Sequence, residues 1–167
     1  MKTRNIVLTG LLAALLLVAK EVLNFLPNIE LVTLLLMLYT LCFPRSITMW
    51  AAVVFIFMQG ILYGFGIWWV SWLYLWPLLI LITWLLRANT SLLLWAVVAG
   101  AFGLSFGALC AIPYWITGGF YAAVSYWFAG IPFDIAHCIG NVLTVLLLFQ
   151  PLRKAFTKVQ IRNTIES

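Results

Sequence analysis

The sequence predicts an all-α membrane protein, a single domain over 1–167 with six transmembrane helices and both termini cytoplasmic. Three observations predict it. Hydrophobic residues make up 66% of the 167 residues and charged residues 8%, against roughly 25% charge in ordinary soluble domains. Mean hydropathy is +1.15. Between Arg45 and Arg153 the only other charged residues are Arg87 and Asp134, and no water-facing surface can be assembled from such a stretch. A spanning helix takes about 20 residues, so six of them leave only short loops and tails.

The helices are expected at about 5–26, 29–43, 46–65, 68–86, 91–117 and 133–152. Lys2 and Arg4 precede an apolar run to Ala19, which resembles a secretory signal. No small-x-small cleavage site with a polar mature start follows, so the run reads as a retained first helix. Helix two opens after Pro27, closes at Phe43-Pro44-Arg45 and is short for a full span. Pro27, Pro44 and Pro132 sit at expected helix boundaries, where a missing amide hydrogen costs nothing. Pro77 and Pro113 fall inside helices four and five and predict kinks. The carbonyls they free must be covered by protein or a cavity. In helix five Gly103 and Gly107 form a GxxxG flanked by Ala99 and Ala111, a stripe that lets backbones approach closely. It reads first as packing within the bundle. The charge-free, glycine-bounded segment 118–133 reads as a lid over an outer cavity or as an interfacial loop or half-helix on the membrane surface.

Six spans sort the charges by side. Lys2, Arg4, Arg45, Arg87, Arg153, Lys154, Lys158 and Arg162 fall together, which makes that side cytoplasmic. Glu21, Glu30 and Asp134 fall opposite, with Lys20. The net charge of +5 therefore describes membrane flanks rather than a nucleic-acid surface. Cys42, Cys110 and Cys138 lie in separate apolar segments without a CxxC pair, as small buried hydrophobes do. There is no phosphate-cradling Gly-rich Lys motif, no Gly-x-Ser-x-Gly and no HExxH. The four acids and one His are too few for a multi-carboxylate metal site.

Three constellations remain. Trp68, Trp72 and Trp76 recur every four residues on one helix face with Trp69 beside them, and Tyr121, Tyr126 and Trp127 belong to a second aromatic cluster. From Trp68 to Trp76 is about 12 Å along a helix, deeper than an interfacial belt requires. Belt and lined ligand cavity both stand. Asp134, His137 and Asn141 at i, i+3 and i+7 share one face of helix six. Ionisable groups in a span face a cavity or partner, although Asp134 also suits a helix N-cap. Lys20, Asn24 and, after the turn, Asn28 and Glu30 offer polar contacts at the same end. The competing reading is an interfacial ion pair with a snorkelling lysine.

The chain resembles the substrate-binding S components of energy-coupling factor vitamin transporters. The resemblance rests on Leu26-Pro27-Asn28-Ile29-Glu30-Leu31-Val32-Thr33, on Phe43-Pro44-Arg45, and on Gly130-Ile131-Pro132-Phe133-Asp134 with His137 and Asn141. It implies an outward-facing vitamin pocket, a transmembrane coupling subunit, two cytoplasmic ATPases as partners, and a prokaryotic plasma membrane. It implies no permanently bound cofactor and no chemistry of the chain's own. Gly10 and Ala14 match the family's docking positions, with Gly10 departing from the usual Ala-xxx-Ala. Within the family the cobalamin group is the most similar, and a pyridoxine-type or thiamin-type ligand is the alternative. A small membrane enzyme using Asp134 and His137 is the reading from another class.

Overall fold

The computed structural model describes residues 3–25 and 29–165, with side chains through residue 160. Five helices run through them rather than the expected six: α1 Thr3–Val22, α2 Val32–Cys42, α3 Arg45–Tyr63, α4 Ile67–Leu85 and α5 Leu92–Ile165. Among the described residues there is no strand. α1, α3, α4 and α5 are long and apolar enough to cross a bilayer, while α2 is not.

The missing sixth helix is the second arm of α5. Drawn straight, α5 would reach about 110 Å. Instead the chain turns back at Gly119, the one residue inside α5 with non-helical angles (φ 80°, ψ −179°). That region of backbone space is essentially open to glycine alone. The two arms then lie antiparallel. Tyr114 stacks on Tyr126 with ring centroids 4.1 Å apart, and Trp95 stacks on Phe149 at 6.1 Å. The segment 118–133, expected to leave the helix as a lid or surface piece, is helical on both sides of Gly119. Pro132 is therefore inside a helix rather than at its start, and α5 runs past Pro151 instead of ending at 152. No long loop is required, because one glycine supplies the whole reversal. Gly64 (φ 86°) does the same work between α3 and α4.

α2 is the centre of the bundle. Every residue from Val32 to Thr40 is buried, and α2 touches all four other helices. Tyr39, Phe55, Trp76, Trp95 and Phe149 are the largest fully buried side chains. Between lipid-embedded helices the attraction is close packing rather than the hydrophobic effect, since lipid tails are as apolar as leucine. The outward faces agree with that solvent. Val7, Leu11, Val18 and Val22 line one exposed side of α1, an apolar face that lipid covers and water would not.

Some buried hydroxyls on the helices are satisfied locally. Thr40 and Thr83 hydroxyls donate to the carbonyls four residues back, at 2.7 and 2.8 Å. Pro113 has no amide hydrogen for the Leu109 carbonyl, and the Tyr74 hydroxyl of α4 donates to that oxygen instead, at 2.6 Å. The kink penalty expected at Pro113 is thus offset by a side chain from the neighbouring helix.

Candidate functional site

Halfway along the second arm of α5, three polar side chains face the bundle interior. Asp134, His137 and Asn141 are 4%, 3% and 1% exposed. The helix runs through Asp134, so the residue is not a cap. Its Oδ1 accepts the Gly107 backbone N–H from the first arm at 2.8 Å. Asn141 Nδ2 donates to the Ala99 carbonyl at 3.0 Å. The glycine stripe makes both contacts possible. A Cβ on Gly107 would run into the Asp134 carboxylate, and one on Gly103 would lie 2.9 Å from both Asn141 Nδ2 and the Cys138 backbone nitrogen. The GxxxG packs arm against arm within the chain.

Glu30, in the stretch leading into α2, reaches the same interior. Its carboxylate lies 3.4 Å from His137 Nε2 and 3.7 Å from Lys20 Nζ. Both are ion-pair separations at the long end rather than tight hydrogen bonds. Burial alone pushes the Glu30 carboxyl up; His137 and Lys20 outweigh it and hold the group below its ordinary value. Asp134 Oδ2 and Asn141 Oδ1 are buried with no hydrogen-bond partner. Buried side-chain atoms of Thr9, Thr33, Thr48, Trp76 and Trp95 share that condition; what sets Asp134 apart is that it is ionisable and also lines a cavity.

Asp134 is in the wall of a cavity of about 360 Å³ between the arms, shared with Phe106, Gly107, Cys110, Tyr126, Ala129, Gly130 and Phe133, with its Oδ2 packed against Gly107. The aromatic stripe approaches from the other side. Ring centroids step from Trp68 to Trp72 (5.2 Å), Trp76 (5.5 Å), Phe106 (5.8 Å) and His137 (4.9 Å). Trp76 is fully buried in this ladder, and Trp68 and Trp72 are half-buried. The stripe points into the bundle, and none of its tryptophans lines the cavity.

Other expected site residues are placed elsewhere. Trp69 ties α4 to α3, its Nε1 donating to the Ile56 carbonyl at 2.9 Å. Asn24 donates to the Tyr63 hydroxyl at 3.4 Å, and Tyr63 and Gln59 both donate to the Glu21 carboxylate. This closed network staples α1 to α3. Tyr121 is 85% exposed and Trp127 40%. Tyr121 lies about 24 Å along the helix from His137, so the hairpin tip is not brought to the polar cluster, although Tyr126 reaches the cavity. Trp127 joins Trp115 and Phe120 in a separate apolar groove. Asn28 lies outside the described residues. Gly10 and Ala14 are exposed on α1, with open space where a Gly10 Cβ would go.

Sequence reasoning missed Gln59 and Phe106. Gln59 is one buried amide in an apolar helix, and intramembrane polarity was the available signal. Phe106 is indistinguishable from lipid-facing phenylalanines until the hairpin folds. Compared with known proteins, the chain matches no family model, no curated protein and no solved structure.

Proposed function

We propose that the protein is the substrate-binding membrane subunit of an energy-coupling factor type vitamin importer. On this reading it captures its ligand between the arms of α5 and delivers it inward with a coupling subunit and two ATPases. It sits in a prokaryotic plasma membrane with its base-rich end in the cytoplasm, and it performs no chemistry itself. The observation that carries the reading is Asp134: a residue in the wall of a cavity with one buried carboxylate oxygen unpartnered, on the helix face that also presents His137 and Asn141. A membrane interior tolerates such a group where a ligand completes it.

Size bears on the ligand. A cavity of about 360 Å³ is near the lower end of small-molecule sites, roughly 300–1,000 Å³. A pyridoxine-type or thiamin-type ring enters such a space, with Asp134 accepting from its polar edge. A corrinoid is too broad to enter and would have to rest on the outer aromatics. The cavity therefore favours the small ring over cobalamin.

The test is mass spectrometry and visible absorption of whatever the detergent-purified protein holds, followed by titration with pyridoxine, thiamin and cobalamin. A colourless small-ring vitamin should be found, and Asp134→Asn should weaken its binding about tenfold or more, the worth of one charge-assisted hydrogen bond. If none of the three vitamins binds to folded protein, or Asp134→Asn binds as the parent does, the reading is wrong.

A further inference from the structure

Trp84, near the end of α4, carries two cations. The Arg45 guanidinium lies 4.6 Å from its ring centroid and that of Arg87 lies 4.3 Å away. Arg87 Nη1 also donates to the Trp84 carbonyl at 3.0 Å, which fixes its position. Two like charges on one ring repel each other, and the cation–π attraction offsets only part of that. Among the described residues, the ion pairs involve Glu30 alone, so neither arginine has a carboxylate.

A groove of about 530 Å³ opens at Arg45 between α3 and α4, lined by Arg45, Ser46, Met49, Trp50, Ile80 and Leu81, and Arg87 stands outside its wall on the same Trp84 ring. Its mouth is cationic and hydroxylic, and its walls are apolar for more than a helical turn. Trp50 is 54% exposed and Leu81 45%, so the walls face the space lipid fills. A free phosphate would satisfy the mouth and leave the walls bare. A neutral lipid would fill the walls and leave two cations unneutralised.

We infer that this groove is a binding site for one anionic phospholipid, its headgroup phosphate held at Arg45, with Arg87 adding its charge from beside Trp84, and an acyl chain laid along Trp50 and Leu81. Basic recesses between spans at the headgroup level take anionic lipids for the same electrostatic reason. The inference does not depend on what the cavity near Asp134 binds.

The test follows thermal unfolding of the full chain in neutral detergent while phosphatidylglycerol, phosphatidylcholine of the same acyl chains, or inorganic phosphate is titrated in; ligand that binds only the folded state raises the midpoint. Phosphatidylglycerol should bind about 30-fold tighter than phosphatidylcholine, the worth of two interfacial cations, and phosphate alone should shift nothing. The preference should fall as salt rises, disappear in Arg45→Gln/Arg87→Gln, and persist in Arg153→Gln, a basic residue outside the groove. Equal affinity for the two lipids overturns the inference. So does a preference retained by the folded double variant, or one lost equally in Arg153→Gln. A phosphate-induced shift matching that of phosphatidylglycerol makes it a free-anion site instead. If the double variant does not fold, the parent protein decides, since a preference indifferent to salt is not carried by these arginines.

Discussion

Gly103→Ala tests the arm-to-arm contact on which the candidate site depends. The added Cβ would lie 2.9 Å from Asn141 Nδ2, the Cys138 backbone nitrogen and the His137 carbonyl carbon, where ordinary contact begins at 3.4 Å. Two of these three atoms are backbone and cannot rotate away. The arms must therefore separate by about 0.5 Å, enough to forfeit a quarter or more of each dispersion contact along the seam. Overpacking of this kind costs about 1–3 kcal/mol. Alanine returns up to about 1 kcal/mol of helix propensity relative to glycine, leaving a net loss of up to about 2 kcal/mol. For a chain of this size that lowers the unfolding midpoint by up to about 8 °C. Gly10→Ala is the matched control: its Cβ meets nothing within 4 Å, so only the propensity gain remains and the midpoint should hold or rise. Both variants are followed by thermal unfolding in detergent, with ligand affinity measured alongside. If Gly103→Ala unfolds with the parent, or Gly10→Ala falls by as much, the close approach of the arms is not what holds the hairpin.

Three further outcomes follow from the same geometry. Tyr74→Phe strands the Leu109 carbonyl that Pro113 leaves free and should cost about 1–3 kcal/mol, read as a lower unfolding midpoint; a neutral result removes Tyr74 as the compensating donor. Gly119→Ala meets no atom, yet its backbone angles are nearly closed to alanine, so about 1–3 kcal/mol should be lost by conformation alone, and an unchanged midpoint would mean the reversal does not need that angle. Because the Glu30 carboxyl is held below its ordinary value of 4.5, its contribution to stability is complete above that pH and is lost as pH falls through the lower folded value. The parent should therefore weaken in acid more steeply than Glu30→Gln, and parallel pH profiles would refute the pairing with His137 and Lys20.

The bilayer class was legible because composition alone excludes a water-facing surface. The inward face shared by Asp134, His137 and Asn141 was legible because helical spacing is local. So was the Trp68–Trp72–Trp76 stripe, and the bundle-packing role of Gly103 and Gly107. What spacing does not encode is how far a helix continues. Pro132 looked like a boundary, yet proline is tolerated within a helix when neighbouring helices cover the carbonyl it frees, and Gly119 alone makes the turn. The count of helices and the fate of 118–133 went astray there. Asp134 also looked like a cap, because a cap and an inter-arm acceptor need the same side chain. Which aromatics meet the polar cluster depends on depth along the hairpin, which is why Phe106 and Tyr126 reach it and Tyr121 does not.

The short buried helix has a consequence for how the chain enters a membrane. α2 has 11 residues and reaches about 16 Å, close to half the hydrocarbon thickness. A segment of that length is not partitioned into lipid as an independent span by the insertion machinery. It has to travel with its neighbours and settle after they are in place, which makes it a late arrival in biogenesis although it ends at the centre of the finished bundle. Shortening or polarising α2 should therefore leave the long helices inserted and glycosylation-tag topology unchanged, while the protein fails at assembly.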